Sequence, residues 1–318
     1  MHDLPDDHCG PALARCVDLW FTDCGLVIQA GNMLYRISGE MLAAKSPVFA
    51  DMLSFPQPED PEQIDGCPVV FVPDSSLEMT VFLKALLDYE SFQEHPAQTD
   101  FDEICGVLRL SNKYLVEPLR KRALNHLTLH FSTTSLDCRP LPTSWEFRPN
   151  HLLPMILLAR EVSALWILPV IFYQYCEHRG PDQLLSGYKY RGSHLNLSAQ
   201  DQVTCLSAMM MLRTQLMTDF LDFLWNSNVT LRCFRYGECI TSRINARRVA
   251  ETRRHEHFPF DTWSAQDTSG INLCPTCAAA LQNAHQDAQS ALWNRLPELF
   301  KLPSWDELEK MRVAAFSS

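Results

Sequence analysis

Between Asp18 and Met52 the sequence changes its period and is then cut by a Ser-Pro pair, which leaves few ways to arrange this part of the chain. Leu19 to Phe21 reads as a short strand stopping at Asp23-Cys24-Gly25, where glycine supplies the positive φ of a tight turn. Leu26 to Gln29 is rich in branched side chains and reads as a second strand. A turn at Ala30-Gly31-Asn32 leads to a third extended run that begins with Leu34 and Tyr35. From Gly39 the spacing becomes helical, with Met41, Leu42, Lys45 and Phe49 three or four residues apart. Ser46-Pro47 predicts that this helix stops and a new one starts, with serine as its cap and proline at its first position.

The next elements are equally legible. After Ser54-Phe55-Pro56-Gln57-Pro58 an acidic, Pro-rich stretch runs to Gly66 without apolar periodicity, so it predicts a surface loop. Pro68 to Pro73 is a branched strand bounded by prolines, and Asp74 to Ser76 can cap a helix from Leu77 to Leu87 that offers Phe82, Leu83 and Leu86 to a core. Another helix opens at Thr99 to Asp102, places Phe101, Ile104, Cys105 and Leu108 on one face, and ends at Asn112-Lys113-Tyr114. Pro118 starts the next, with Leu119, Ala123, Leu127 and Phe131 repeating every four residues.

This order of strand pair, strand, Ser-Pro restart and later helical hairpins resembles the BTB (POZ) domain. The stretches VIQAG, LYRI, MLAAKSPVFADMLSFPQP and LRLSNKYLVEPLRKRALNHL are similar to those of fungal, basidiomycete-type BTB proteins. The resemblance covers Val17 to Phe131, and LWNRLPELFKLPSWDEL near the end extends it over most of the chain. Ser38 stands where many BTB domains carry a histidine after the third strand. The resemblance implies an α/β domain that self-associates and recruits other proteins, in many members as a substrate adaptor of a cullin-type ubiquitin ligase.

A chain of 318 residues is long enough for two domains, and 46% hydrophobic residues can fill their cores. The first residues carry acidic groups and no apolar run, which predicts no secretory signal and an intracellular protein, with nucleus and cytoplasm equally open. A net charge of −11 weighs against nucleic acid as the main partner, because phosphate contacts need clustered Lys and Arg. Leu152 to Cys176 is strongly apolar but is interrupted by Arg160-Glu161 and by Pro154 and Pro169. Its uncharged part is shorter than the ~20 residues a membrane span needs. It therefore predicts a buried helix, and no membrane association.

Ser132 to Pro149 has a linker composition, after which Asn150 can cap a helix over Leu152 to Glu177. Ser198-x-x-Asp201 predicts the start of a long helix to about Trp225 whose apolar face holds Val203, Leu206, Met210, Met217, Phe220 and Leu224. Met209 to Met211 fit a core, as methionines commonly do. Gly187-Tyr188-Lys189-Tyr190-Arg191-Gly192 interleaves aromatics with cations, as single-strand binders do, but one short instance in an acidic chain reads as a solvated loop. The arginines at 247, 248, 253 and 254 form the one basic cluster, read as a solvated helix face with a nuclear or regulatory role as the alternative.

The chemistry lies in four of the twelve cysteines. Without a secretory signal such cysteines are reduced thiols or metal ligands. Cys233 and Cys239 are separated by five residues, Cys274 and Cys277 by two, the second pair at the start of an Ala-rich helix whose first-turn amides favour thiolate charge. Two close pairs supply the four soft ligands of a tetrahedral zinc, and a structural zinc on Cys233, Cys239, Cys274 and Cys277 is the expectation. A mixed site using His255 or His257, isolated buried thiols and a redox pair are the competing readings. His255-Glu256-His257 with Cys274-x-x-Cys277 matches neither half of the zinc-deaminase signature, and no phosphate loop, nucleophile elbow, HExxH or dinucleotide pattern occurs. A zinc-dependent enzyme is thus the remote alternative to a protein-binding scaffold.

The fold class expected is α+β: residues 1–16 as a flexible tail, 17–132 as a BTB/POZ domain, 133–149 as a linker, 150–228 as a helical region, and 229–318 as a zinc-stapled insert with C-terminal helices.

Overall fold

The computed structural model describes residues 12–55, 61–129, 131, 145–214, 224, 233–253, 259–262 and 270–317. The fold is mixed α and β, a five-stranded sheet followed by helices. Two compact units divide the chain, one of residues 1–130 and 142–147, the other of residues 131–141 and 148–318. Most of the predicted linker, residues 132–144, lies outside the described residues, as do residues 1–11 of the predicted tail.

In the N-terminal unit, β1 (Ala14–Trp20), β2 (Leu26–Ala30), β3 (Met33–Ile37), β4 (Gln63–Ile64) and β5 (Cys67–Val72) form one sheet in the order β1-β3-β2-β5-β4. The β2-β3 hairpin is antiparallel from Leu26 opposite Ile37 to Ala30 opposite Met33, and β2 runs parallel to β5 on its other edge. A strand paired on both edges reads as a continuous apolar run; accordingly Val27, Ile28 and Ala30 are fully buried. β1 begins at Ala14, earlier than the predicted Leu19. Its first five residues bury little, so no alternation marked them as strand.

The Ser-Pro pair acts as its chemistry dictates. Helix α1 (Gly39–Lys45) is capped by Ser38, whose Oγ accepts from the Met41 amide at 3.3 Å. Helix α2 (Pro47–Ser54) starts at Ser46, whose Oγ accepts from the Phe49 amide at 3.1 Å and donates to the Tyr114 carbonyl at 2.6 Å. One hydroxyl thus fills two polar needs inside the core, where an unmet one would be costly. Phe49 stacks on Tyr114 with ring centroids 4.3 Å apart, and Phe82 packs against the same ring at 5.6 Å. The Tyr114 hydroxyl donates to Asp74 at 2.5 Å, and burial pushes its pKa well up, with the Asp74 contact adding to the shift. Helices α3 (Ser76–Leu87), α4 (Phe101–Lys113) and α5 (Glu117–Thr128) pack successively on one another. At Gly106 any Cβ would come within 2.7 Å of Val81, so α3 and α4 approach more closely there than a side chain would allow.

His126 of α5 is buried, with Nε2 2.8 Å from the Gln93 carbonyl, and Trp145 donates to its own carbonyl at 3.2 Å. Burial lowers its pKa, and the Gln93 carbonyl only partly opposes this. The unfolded chain therefore takes up this proton more readily than the folded one. The stability associated with neutral His126 is complete above about pH 6.5 and is lost as pH falls through the folded value. Urea unfolding of the full chain should show the N-terminal transition shifting to lower urea between pH 7.5 and 5, and His126→Gln should flatten that shift. Equal slopes in both proteins would exclude His126 as the cause.

In the C-terminal unit, α6 (Leu152–Glu161) and α7 (Leu168–His178) replace the single helix predicted over Leu152 to Glu177. Ser163 takes φ +59 between them, and Pro169 stands in the first turn of α7. Residues Leu168 to Cys176 are all buried, which makes α7 a core helix. Among the described residues no helix is long and apolar enough to cross a membrane. Helix α8 (Pro181–Ser186) follows, and then β6 (Tyr188–Tyr190) and β7 (Ser193–Leu195) form a hairpin where a loop was expected. Gly187 enters it at φ +67, and a Cβ there would lie 1.8 Å from the Leu195 carbonyl oxygen. The Tyr188 hydroxyl donates to the Asn150 carbonyl at 2.9 Å, the Arg179 guanidinium lies over its ring, and Tyr190 meets His151 edge-on. These rings are engaged within the unit and form no open stacking platform.

Helix α9 (Ala199–Arg213) is capped by Ser198, which accepts from the Asp201 amide at 3.1 Å, and Arg160 of α6 grips the Asp201 carboxylate at 2.7 and 3.3 Å. Met209 is buried, but Met210 and Met211 are exposed, so the core expectation fails for those two. Met217 and Phe220, assigned to the same face, lie outside the described residues. Two long helices, Tyr236–Arg253 and Pro275–Leu299, and the last helix, Trp305–Ser317, complete the unit. Trp293 and Trp305 stack at 4.7 Å across the final turn.

Candidate metal centre

Each cysteine pair straddles the start of a helix. Cys274 is the extended residue immediately before Pro275–Leu299, its carbonyl accepting from the Ala278 amide at 2.9 Å, and Cys277 lies in the first turn. Pro275 at the first helical position fixes where that turn begins. Cys233 precedes the helix Tyr236–Arg253, and the Cys239 amide closes its first turn on the Arg235 carbonyl at 2.9 Å. Arg235, paired with Glu238 of its own segment at 3.1 Å, ties the two segments together by donating to Asn272 at 3.3 Å. Two helix N-termini, whose first amides have no partner within their own helices, therefore converge on the same four sulfurs.

The four Sγ atoms lie within 4.8 Å of one another, with Cys233 and Cys274 3.8 Å apart. Bonds of ~2.3 Å to a tetrahedral ion separate sulfurs by about 3.8 Å. The arrangement has the dimensions of a site for a single thiophilic ion, and it could hold one. Cys239, Cys274 and Cys277 are buried and Cys233 is half-buried, so three sulfurs are shielded and one edge faces solvent. The Cys274 amide donates to the Cys239 sulfur at 3.3 Å.

The thiols differ in their readiness to ionise. The Cys277 amide, helped by the Cys277 thiol, the Phe234 amide and Cys233, holds Cys274 down at about 6. For Cys239 the Cys274 amide also lowers the value, but burial and the thiols of Cys233 and Cys274 outweigh it and leave it raised. Such a cluster keeps some of its protons until a cation displaces them, so binding releases protons.

All four cysteines singled out by spacing come together. His255 and His257 lie outside the described residues, as does Arg254. The sequence reading placed the arginines at 247, 248, 253 and 254 on a solvated helix face but did not carry that helix back to Cys239, because only Cys239 and Ala250 among the residues of Tyr236–Arg253 with described burial are buried and no apolar stripe marks it. It also missed Arg243, four residues after Cys239 and half-buried on the same face. That i, i+4 spacing was the available signal. Cys105 is buried, as its helix face predicted, Cys205 is buried as well, and the ten described cysteines are all free thiols.

No protein-family model, curated protein or solved structure matches the chain.

Proposed function

We propose that this protein is a non-catalytic, protein-binding scaffold in which a BTB-type N-terminal unit self-associates and recruits a partner, while a zinc ion staples the C-terminal unit. The observation that carries the first half is the order of elements around β2: a β2-β3 hairpin, α1 and α2 joined at Ser46-Pro47, a return to β2 by parallel β5, and then three packed helices. The second half is supported by the four convergent thiols, whose full tetrathiolate shell would leave no open position for a substrate. Zinc suits such a shell because it accepts tetrahedral sulfur without redox chemistry. Recruitment of a cullin, making the chain a substrate adaptor, is the specific form of partner binding proposed.

Light scattering of the full chain should give twice the monomer mass, and affinity purification from the native cell should recover cullin subunits. A monomer would remove self-association, and stable partners without cullin would remove the adaptor role. Turnover of a small substrate with no stable protein partner would overturn the whole proposal.

A further inference from the structure

The geometry points to Arg243 as the charge partner of the metal centre, a residue that holds the ion in place without ligating it. The inference rests on the metal centre proposed above. A divalent ion bound by four thiolates carries a net double negative charge, and burying it is costly without compensating cations or dipoles. The two helix N-termini supply dipoles, and Arg243 supplies a full charge. Along Tyr236–Arg253 the inward face is Cys239, Arg243, Ala246 and Ala250, spaced i, i+4, i+7 and i+11, and all four are buried or half-buried. Thr241, Asn245, Arg248 and Thr252, on the opposite side, are exposed.

An arginine on the inward face sits one helical turn beyond Cys239, on the side of the helix that meets the sulfurs. The surroundings of its guanidinium agree with this placement: burial pushes its pKa down while the charge of Cys277 pushes it up. Arginine suits the position because its charge is permanent and its stem packs against apolar surface.

The test is metal binding by the full chain, with cobalt(II) as a spectroscopic probe and zinc(II) in competition. Wild type should show thiolate-to-cobalt charge-transfer bands and tetrahedral d–d bands. Arg243→Gln should keep the shape of those bands but weaken zinc binding about ten- to a hundredfold, the usual cost of losing an outer partner of a metal site. Arg243→Lys should restore most of the affinity, and Arg248→Gln, on the exposed face, should match wild type. Should the Gln variant fail to fold, Arg243→Met, which keeps the apolar stem, takes its place with the same expectation. Equal affinity in wild type and the neutral variant would overturn the inference and leave the metal centre standing. Equal loss in the Lys and neutral variants would also overturn it, because packing and not charge would then be the cause. Wild type that binds neither metal would instead remove the metal centre itself.

Discussion

Cys277→Ser is expected to release the metal and unfold the helix Tyr236–Arg253 while the N-terminal unit stays folded. The helix gives itself little support: among its residues with described burial only Cys239 and Ala250 are buried. Removing two small side chains from water cannot hold an 18-residue helix that would be marginal alone. Its anchor is its first turn, where Cys239 meets Cys274 and Cys277 of a distant segment. A structural zinc at such a junction contributes on the order of 10 kcal/mol in small domains, far more than one surface ion pair such as Arg247–Glu251 at 3.3 Å. Plasma mass spectrometry should read one zinc per wild-type chain and none in the variant. Hydrogen exchange across residues 236–253 should lose its protection in the variant alone. A metal-free variant that kept this protection would show that packing suffices and that the thiols are not a staple.

Phe49→Ala should remove a large part of the stability of the N-terminal unit. Phe49 is 1% exposed and lies face to face with Tyr114 at 4.3 Å. Truncating a buried phenylalanine costs about 3–5 kcal/mol, against a typical total of about 5–15 kcal/mol for a domain. The surroundings cannot readily collapse into the gap. Tyr114 is fixed at its hydroxyl by Asp74 and at its carbonyl by Ser46, so the ring opposite the cavity is held in place. Urea denaturation followed by circular dichroism should show the midpoint falling with an unchanged slope, and Phe49→Leu should lose much less. A loss below about 1 kcal/mol for the alanine variant would mean the site relaxes and the stack is not a keystone.

How much could be read in advance follows from how local each determinant is. Ser46-Pro47 was legible because a hydroxyl cap and a missing amide act within one turn. Ser198 before α9, which accepts from the Asp201 amide at 3.1 Å, was legible for the same reason. The elbow at Ser163 was hidden because Val162, Ala164 and Trp166 are buried on both sides of it, so apolarity ran through the break unmarked. Pro169 was the available sign that a new helix begins there. The parallel pairings of β1 with β3 and of β2 with β5 depend on chain crossings that no window of sequence contains. At the metal centre, spacing named the four sulfurs because ligand chemistry is written in residue type. That the helix bearing the arginine cluster reaches back to Cys239 went unseen, because its attachment is by sulfur and not by an apolar stripe.

The bond from Ser46 to Tyr114 spans 68 residues, and this has a consequence during synthesis. While the ribosome is still short of Tyr114, the buried hydroxyl has no acceptor and the ring under Phe49 is missing. Strand β2 is in the same position until Val69 to Val72 have emerged to pair with it, so Val27, Ile28 and Ala30 remain uncovered along one edge of a nascent hairpin. At about 5–20 residues per second that interval lasts seconds. An unpaired apolar strand edge is a surface that chaperones cover and other chains add to. The N-terminal unit is therefore most vulnerable to misassembly on the polysome, when several copies in the same state of incompleteness lie side by side.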